Sequence, residues 1–247
     1  MEGTAVPRRL TWEVATVTAA TWETPSVRTI GLDVPAWPGH RAGQHLDVRL
    51  TAEDGYSAER SYSIASAADD PVAITVERLD NGEVSPYLTE DLRVGDQLEL
   101  RGPVGGYFVW ETAEGGPLLL AGGGSGIVPL RAILRQREHS GSDTPVRLLY
   151  SARTLPELIY RDELDRHLDG VEITYTLTRE QPAGWTGYAR RVDRALLAET
   201  AWSAGKNPLA FVCGPTSFVE TVAGGLVALG YEPGRVKTER FGGTGGR

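Results

Sequence analysis

Pro117-Leu118-Leu119-Leu120-Ala121-Gly122-Gly123-Gly124-Ser125-Gly126-Ile127 decides how the second half of the chain is read. Leu118 to Ala121 is a short unbroken apolar run, as in a strand buried on both faces. The glycines after it let backbone N–H groups approach a phosphate. Helical periodicity from Ile127 to about Arg137 places a helix N-terminus behind them. The loop is not the dinucleotide pattern G-x-G-x-x-G, because Ile127 stands at the sixth position. No lysine follows, so it is not a Walker loop. Ile127 also replaces the last glycine of G-x-S-x-G, which excludes a serine-hydrolase elbow. A tight turn without a ligand is the plain alternative.

Downstream the rhythm repeats. Residues 146–150, 171–175, 209–213 and 236–239 read as further strands, and 156–168, 193–200 and 216–229 as helices. Strands alternating with helices predict a parallel sheet wrapped on both faces, here with five strands. Cys213-Gly214-Pro215-Thr216 forms a second loop that follows a buried strand and opens a helix. Both loops then lie at carboxyl ends of strands, where open α/β sheets bind ligands. The alternative for Cys213 is a buried small hydrophobe.

Upstream the pattern has period two. Residues 11–17, 26–30, 45–50, 72–77 and 97–100 alternate or run apolar, separated by Pro38-Gly39, Asp54-Gly55, Asn81-Gly82 and Gly95-Asp96. Such short, punctuated strands predict an antiparallel barrel or sandwich. One helix is expected over residues 85–91, with Ser85 as N-cap and Pro86 at the first helical position. The polar, glycine-rich residues 111–116 mark a boundary, giving domains 1–112 and 113–247.

Composition excludes several function classes. The single cysteine, Cys213, forbids a disulfide within the chain or a thiolate cluster built by it alone. His40, His45, His139 and His167 show no metal-ligand spacing, so no metal site is expected. No apolar run reaches a membrane span, and residues 1–9 lack an apolar stretch, so a soluble, cytoplasmic protein without signal peptide is expected. Residues 1–112 carry 9 Lys+Arg against 18 Asp+Glu, and residues 113–247 carry 16 against 15. An acidic chain with no basic run is a poor nucleic-acid binder. The asymmetry fits either two solvated surfaces or a second half that accepts an anion.

In Arg60-Ser61-Tyr62-Ser63-Ile64, an extended backbone puts Arg60 and Tyr62 on one face and Ser61 and Ser63 on the other. An arginine suits a phosphate, a tyrosine an aromatic ring, and a serine a ring nitrogen. An ordinary half-exposed strand is the alternative. The ordered set Arg60-x-Tyr62-Ser63, Gly82-Glu83-Val84-Ser85, Gly102-Pro103-Val104-Gly105, the glycine loop through Val128-Pro129, and Cys213-Gly214-Pro215 resembles the ferredoxin–NADP reductase superfamily. Glu239-Arg240-Phe241 is similar to that family's acidic-x-aromatic close. The resemblance covers roughly residues 10–241.

The resemblance implies a flavin-binding β-barrel followed by a Rossmann-like NAD(P) domain, without a fused iron–sulfur domain. Arg60 would hold a flavin phosphate, Tyr62 would pack along the flavin, and Ser63 with Ile64 would face its ring. Gly82, Val84 and Ser85 would meet the FAD pyrophosphate, which favours FAD over the FMN of some relatives. Gly123, Gly124, Ser125 and Gly126 would receive the nucleotide pyrophosphate, with Gly214 and Pro215 nearby. Ser63, Cys213 and Glu239 would border the hydride-transfer point, and Phe241 would cover the flavin, although residues 242–247 extend past it.

Ser151, Arg153, Arg179 and Arg190 are the candidates for the ribose and 2′-phosphate, which favours NADPH over NADH; solvated surface arginine is the alternative. The implied enzyme passes electrons from NADPH through FAD to a separate ferredoxin-type iron–sulfur protein serving an oxygenase. The alternatives are an NADH-dependent reductase of a quinone, free flavin or other small acceptor, and a non-catalytic flavin- or nucleotide-binding subunit.

Overall fold

The computed structural model describes residues 10–166 and 168–241. His167 and the expectations for residues 1–9 and for the tail after Phe241 lie outside the described residues.

The first half forms one six-stranded antiparallel sheet: β1 (Glu13–Thr24), β2 (Val27–Asp33), β3 (His45–Thr51), β4 (Ser57–Ser63), β5 (Ala73–Glu77) and β6 (Gln97–Val104). The strand order is β4-β3-β6-β1-β2-β5. An antiparallel bridge between Ile64 and Ile74 joins the two ends, and Ala65 N–H donates to Ala73 O at 2.7 Å. The sheet therefore closes into the expected barrel, which removes its exposed edges. Alternation explains the core: Leu46 and Val48 of β3 are 0% exposed, while Asp47 and Arg49 point outward.

The helix expected over 85–91 is present: Ser85 and Pro86 open it in α geometry and Tyr87–Asp91 continue it as a short π-helix, with Pro86 rather than Ser85 at the cap of that π segment. Ser85 does not cap it, because its hydroxyl accepts the Leu79 N–H at 3.1 Å. Buried Arg28 closes the other end, donating to Thr89 O at 3.0 Å and Leu92 O at 2.9 Å.

The second half is a five-stranded parallel sheet: β7 (Leu118–Gly123), β8 (Val146–Ala152), β9 (Val171–Leu177), β10 (Leu209–Pro215) and β11 (Val236–Phe241). Its order is β11-β10-β7-β8-β9. Helices α1 (Ile127–His139), α2 (Arg161–Leu164), α3 (Arg194–Thr200) and α4 (Thr216–Ala228) complete it. Leu118 and Leu120 pack on the α1 side, whereas Leu119 and Ala121 face α3 and α4. That two-sided burial is why the run is continuously apolar. Asp193 caps α3, accepting the Leu196 N–H at 2.8 Å.

The helix expected over 156–168 is not formed. A 3-10 turn, Leu155–Glu157, closed by a Thr154/Glu157 capping box, comes first, and α2 then spans a single turn. Tyr160 between them is left-handed at φ 60, which stops helical propagation.

The halves share a core. Phe108 and Trp110, which follow β6, are buried with the α1 side of the parallel sheet, and Phe108 meets Phe211 edge-on at 5.1 Å. Among the described residues no helix is long and apolar enough to cross a membrane.

Candidate functional site

Sheet register brings the sequence-predicted residues together. In the parallel sheet Cys213 lies level with Gly122 on one side and Glu239 on the other. The glycine loop, the Cys-Gly-Pro loop and Glu239 therefore sit at the carboxyl ends of three adjacent strands. In the barrel Ser63 pairs with His45, and Tyr62 with Leu46. Opposed residues of an antiparallel pair share a face. Ser63 and His45 thus point out of the barrel, toward the parallel sheet. His45 Nδ1 lies 3.8 Å from Glu239 Oε1, so His45 links Ser63 to Glu239 and Cys213.

His45 belongs to the cluster and was missed from the sequence, where it looked like one more strand residue. Its partner is set by strand pairing, not by local spacing. The only local signal was its position on the face opposite Leu46 and Val48.

Burial controls the protonation of the cluster. Glu239 is pushed up to about 7 by desolvation, and its Oε2 is buried without a hydrogen-bond partner among the described residues. His45 is pulled below its ordinary value by burial, against the opposing charge of Asp47, and so is neutral near pH 7. Cys213 is 0% exposed, and burial together with the Glu239 charge pushes its thiol up. A thiol held neutral in the core does not attack a ligand. The orphaned carboxylate oxygen beside a neutral imidazole fits a bound group with a hydrogen-bonding edge, such as a flavin or nicotinamide ring.

The glycine loop turns tightly into α1 through a 3-10 turn, Gly124–Gly126. Gly124 is left-handed at φ 56. Gly126 has no room for a side chain, because a Cβ there would lie 2.1 Å from Cys213 O. The two phosphate-type loops are thus packed backbone to backbone. The Ser125 hydroxyl donates to Glu77 Oε2 at 2.7 Å, across to the barrel.

On the barrel side, Arg60 and Tyr62 share a face of β4, as Ser61 and Ser63 share the other. Arg60 donates to Glu59 O at 2.7 Å and is ion-paired with Glu83, which also accepts the Tyr56 O–H at 2.6 Å. Ile64 and Val84 are 0% exposed in the barrel core, so neither side chain reaches the site; only their backbones could touch a ligand. The Ile64 N–H is already given to Gln44 O at 2.9 Å, and the Gly82 N–H to Leu79 O at 2.8 Å. Among the described residues the N–H groups of Glu83, Val84 and Ser85 make no backbone hydrogen bond. Phe241 pairs with Pro215 at the end of the sheet and packs on the α1-side core.

The arginine candidates separate. The backbone N–H of Arg179 donates to Arg153 O at 2.9 Å, which joins the loops after β8 and β9. Both residues are exposed. Arg190 is engaged instead: it bonds Glu199 at 2.6 Å and lies over the Tyr188 ring at 5.5 Å. Ser151 is buried beside Gly123 at the sheet's carboxyl end.

Comparison with known proteins agrees with this architecture. Residues 15–109 match the oxidoreductase FAD-binding domain, and residues 120–224 the oxidoreductase NAD-binding domain. The chain is 30% identical over 231 residues to the glycine betaine monooxygenase reductase subunit of Chromohalobacter salexigens, covering 90% of this chain and 62% of that protein. It is 32% identical to the NADH oxidoreductase HCR of Escherichia coli, covering 85% of this chain and 62% of that one. The chain thus spans less than two thirds of these relatives. The flavohem-like FAD/NAD binding domain of the nitric oxide dioxygenase of Vibrio cholerae superposes with a TM-score of 0.84 at 26% identity, covering 94% of this chain and 99% of that one. With an FAD-binding barrel and an NAD-binding parallel sheet in this order, the chain belongs to the ferredoxin–NADP reductase superfamily.

Proposed function

We propose that this chain takes hydride from NADPH onto FAD held by the barrel and passes electrons to a separate ferredoxin-type iron–sulfur protein serving an oxygenase. The observation that carries the reading is the meeting of Ser63, His45, Glu239 and Cys213 where the two phosphate-type loops face the barrel. Domain limits of 1–112 for flavin and 113–247 for nucleotide go with it.

Arg60 would take a flavin phosphate by exchanging part of its pairing with Glu83. The N–H groups of Val84 and Ser85 would take the second phosphate, and Tyr62 would flank the ring. Gly123, Gly124, Ser125 and Gly126 would cradle the nucleotide pyrophosphate at the start of α1, with Gly214 and Pro215 closing the other side. FAD, when bound, supplies an acceptor of two electrons that can release them one at a time. The chain's own residues orient the rings and set the local field. Glu239, near half-protonation at neutral pH, holds or gives a proton at Oε2, and neutral His45 beside it limits the charge there. Cys213, fully buried in the core between Gly122 and Glu239, backs the site without ionising.

Exposed Arg153 and Arg179 support NADPH. The engagement of Arg190 by Glu199 favours the second reading, an NADH-linked reductase, because a 2′-phosphate would have to compete for that arginine. The oxygenase-linked acceptor rests on the name of the betaine monooxygenase reductase relative. Anaerobic titration of the FAD-loaded protein with each nucleotide tests the reading. Bleaching of the flavin by NADPH at lower concentration than by NADH is expected. Bleaching by NADH first would reverse the nucleotide choice, and no flavin signal after FAD addition would overturn the function.

A further inference from the structure

Five side-chain contacts run in a line along one seam between barrel and parallel sheet. Ser125 bonds Glu77, Tyr160 bonds Thr75, Arg131 donates to Ala65 O at 3.3 Å, Gln136 accepts the Ala68 N–H at 2.9 Å, and His139 lies 3.8 Å from Asp70. Most of the line is rim, exposed or half-exposed. Its buried centre is Tyr160, 3% exposed, with Arg131, 6% exposed.

We propose that Tyr160 is a positioning residue for hydride transfer: its hydroxyl on Thr75 sets the angle at which the nucleotide domain presents the glycine loop to the barrel. The proposal rests on the reductase reading above.

Three observations support it. First, the hydroxyl bonds have one direction. Tyr160 donates to Thr75; Thr29 donates to Glu23 Oε1 at 2.6 Å, so the 2.8 Å contact between Thr75 and Thr29 has Thr75 as donor. Each hydroxyl proton is used once, and the chain ends on a carboxylate anchored in β1. Thr75 Oγ1 is thereby aimed, and Tyr160 is the only member from the nucleotide domain. Second, Tyr160 is held in a left-handed backbone that bulky residues avoid, which persists only where surroundings over-determine it. The surroundings are the Arg131 guanidinium over its ring at 4.2 Å, with Arg131 held in turn by Glu163 at 2.7 Å. Third, Thr75 and Glu77 alternate on the outer face of β5, opposite the core residues Ile74 and Val76. Tyr160 and the loop residue Ser125 therefore read the same strand face two residues apart, and a tilt at Thr75 displaces the loop.

Tyr160→Phe keeps the ring and the cation–π contact and removes only the hydroxyl. Thr75→Val removes the acceptor at constant shape. In either FAD-loaded variant, the Kd values for FAD and for NADPH are expected to stay within about twofold, because neither residue touches a ligand. The limiting rate of flavin reduction in anaerobic stopped flow is expected to fall about tenfold, since sub-ångström misplacement of reacting rings is costly. The nicotinamide–flavin charge-transfer absorbance should weaken in parallel. Amide exchange in residues 73–77 and 158–164 should rise without FAD or nucleotide present. The double variant should be no worse than either single one. Unchanged limiting rate and charge-transfer absorbance in both single variants would overturn the proposal. A wild-type protein that binds FAD but is bleached by neither nucleotide would instead remove the reductase reading, and the proposal with it.

Discussion

The two ligand-facing ends of this molecule are built from different materials. The nucleotide end is backbone. Gly124 and Gly126 shape it, and the Gly126 α-carbon is packed so close to Cys213 O that no side chain fits. The barrel end is side chain: on the proposed reading Arg60 works through a guanidinium shared with Glu83, which also accepts the Tyr56 hydroxyl. A backbone site is fixed by packing and tolerates no added atom. A side-chain site can be tuned by its neighbours and loses affinity in steps.

The sharpest way to break that contrast is Gly126→Ala. Overpacking against Cys213 O should cost roughly 3 kcal/mol, lowering Tm by about 6–12 °C and removing nucleotide binding with it. A melt unchanged from wild type would show that the loop can yield. Arg60→Ala should leave the fold intact and raise the FAD Kd by about 10- to 100-fold, the worth of charge-assisted hydrogen bonds. Full FAD retention through dialysis would take Arg60 out of the site. Arg179→Ala should raise KM for NADPH about fivefold and leave NADH unchanged, as for one exposed phosphate contact. Equal effects on both nucleotides would remove it from the 2′-phosphate site.

The smallest expected effect lies where the two ends meet. Glu239 is raised from the ordinary 4.5 to about 7 in the folded protein. The folded state therefore holds its proton more tightly than the unfolded state. The stability this adds is full below pH 4.5, is lost as pH rises toward 7, and changes no further above that. Glu239→Gln should flatten both this slope and the pH dependence of flavin reduction near pH 7. A variant whose profile still bends there would assign that titration to another group.

Both sheets were legible because each has its own period. Leu118 to Ala121 is apolar throughout because both faces are covered, and His45 to Thr51 alternates because one face is. The helix expected over 156–168 is interrupted by the left-handed turn at Tyr160, whose hydroxyl partner, Thr75, lies 85 residues away and is invisible to local periodicity. Ser85 looked like a cap because its hydroxyl's real partner, Leu79 N–H, lies behind it in the chain. Ser63, Cys213 and Glu239 were singled out through motifs, as candidates that strand register brings together. His45 was not, since only the pairing of β3 with β4 sets it opposite Ser63. Arg190 is counted among the nucleotide candidates, and the sequence does not show that α3 brings Glu199 to it.

Phe108 and Trp110 follow the last barrel strand yet are buried with the parallel sheet. The chain's two halves are thus unequal as folding units. The parallel sheet without these aromatics would expose the face of Phe211, and the barrel alone would carry two bare aromatic rings at its end. Heat should melt the two sheets in one cooperative transition. A cut in the polar stretch between Trp110 and Leu118 should leave the fragments associated, held by the preceding segment like a tenon in its mortise.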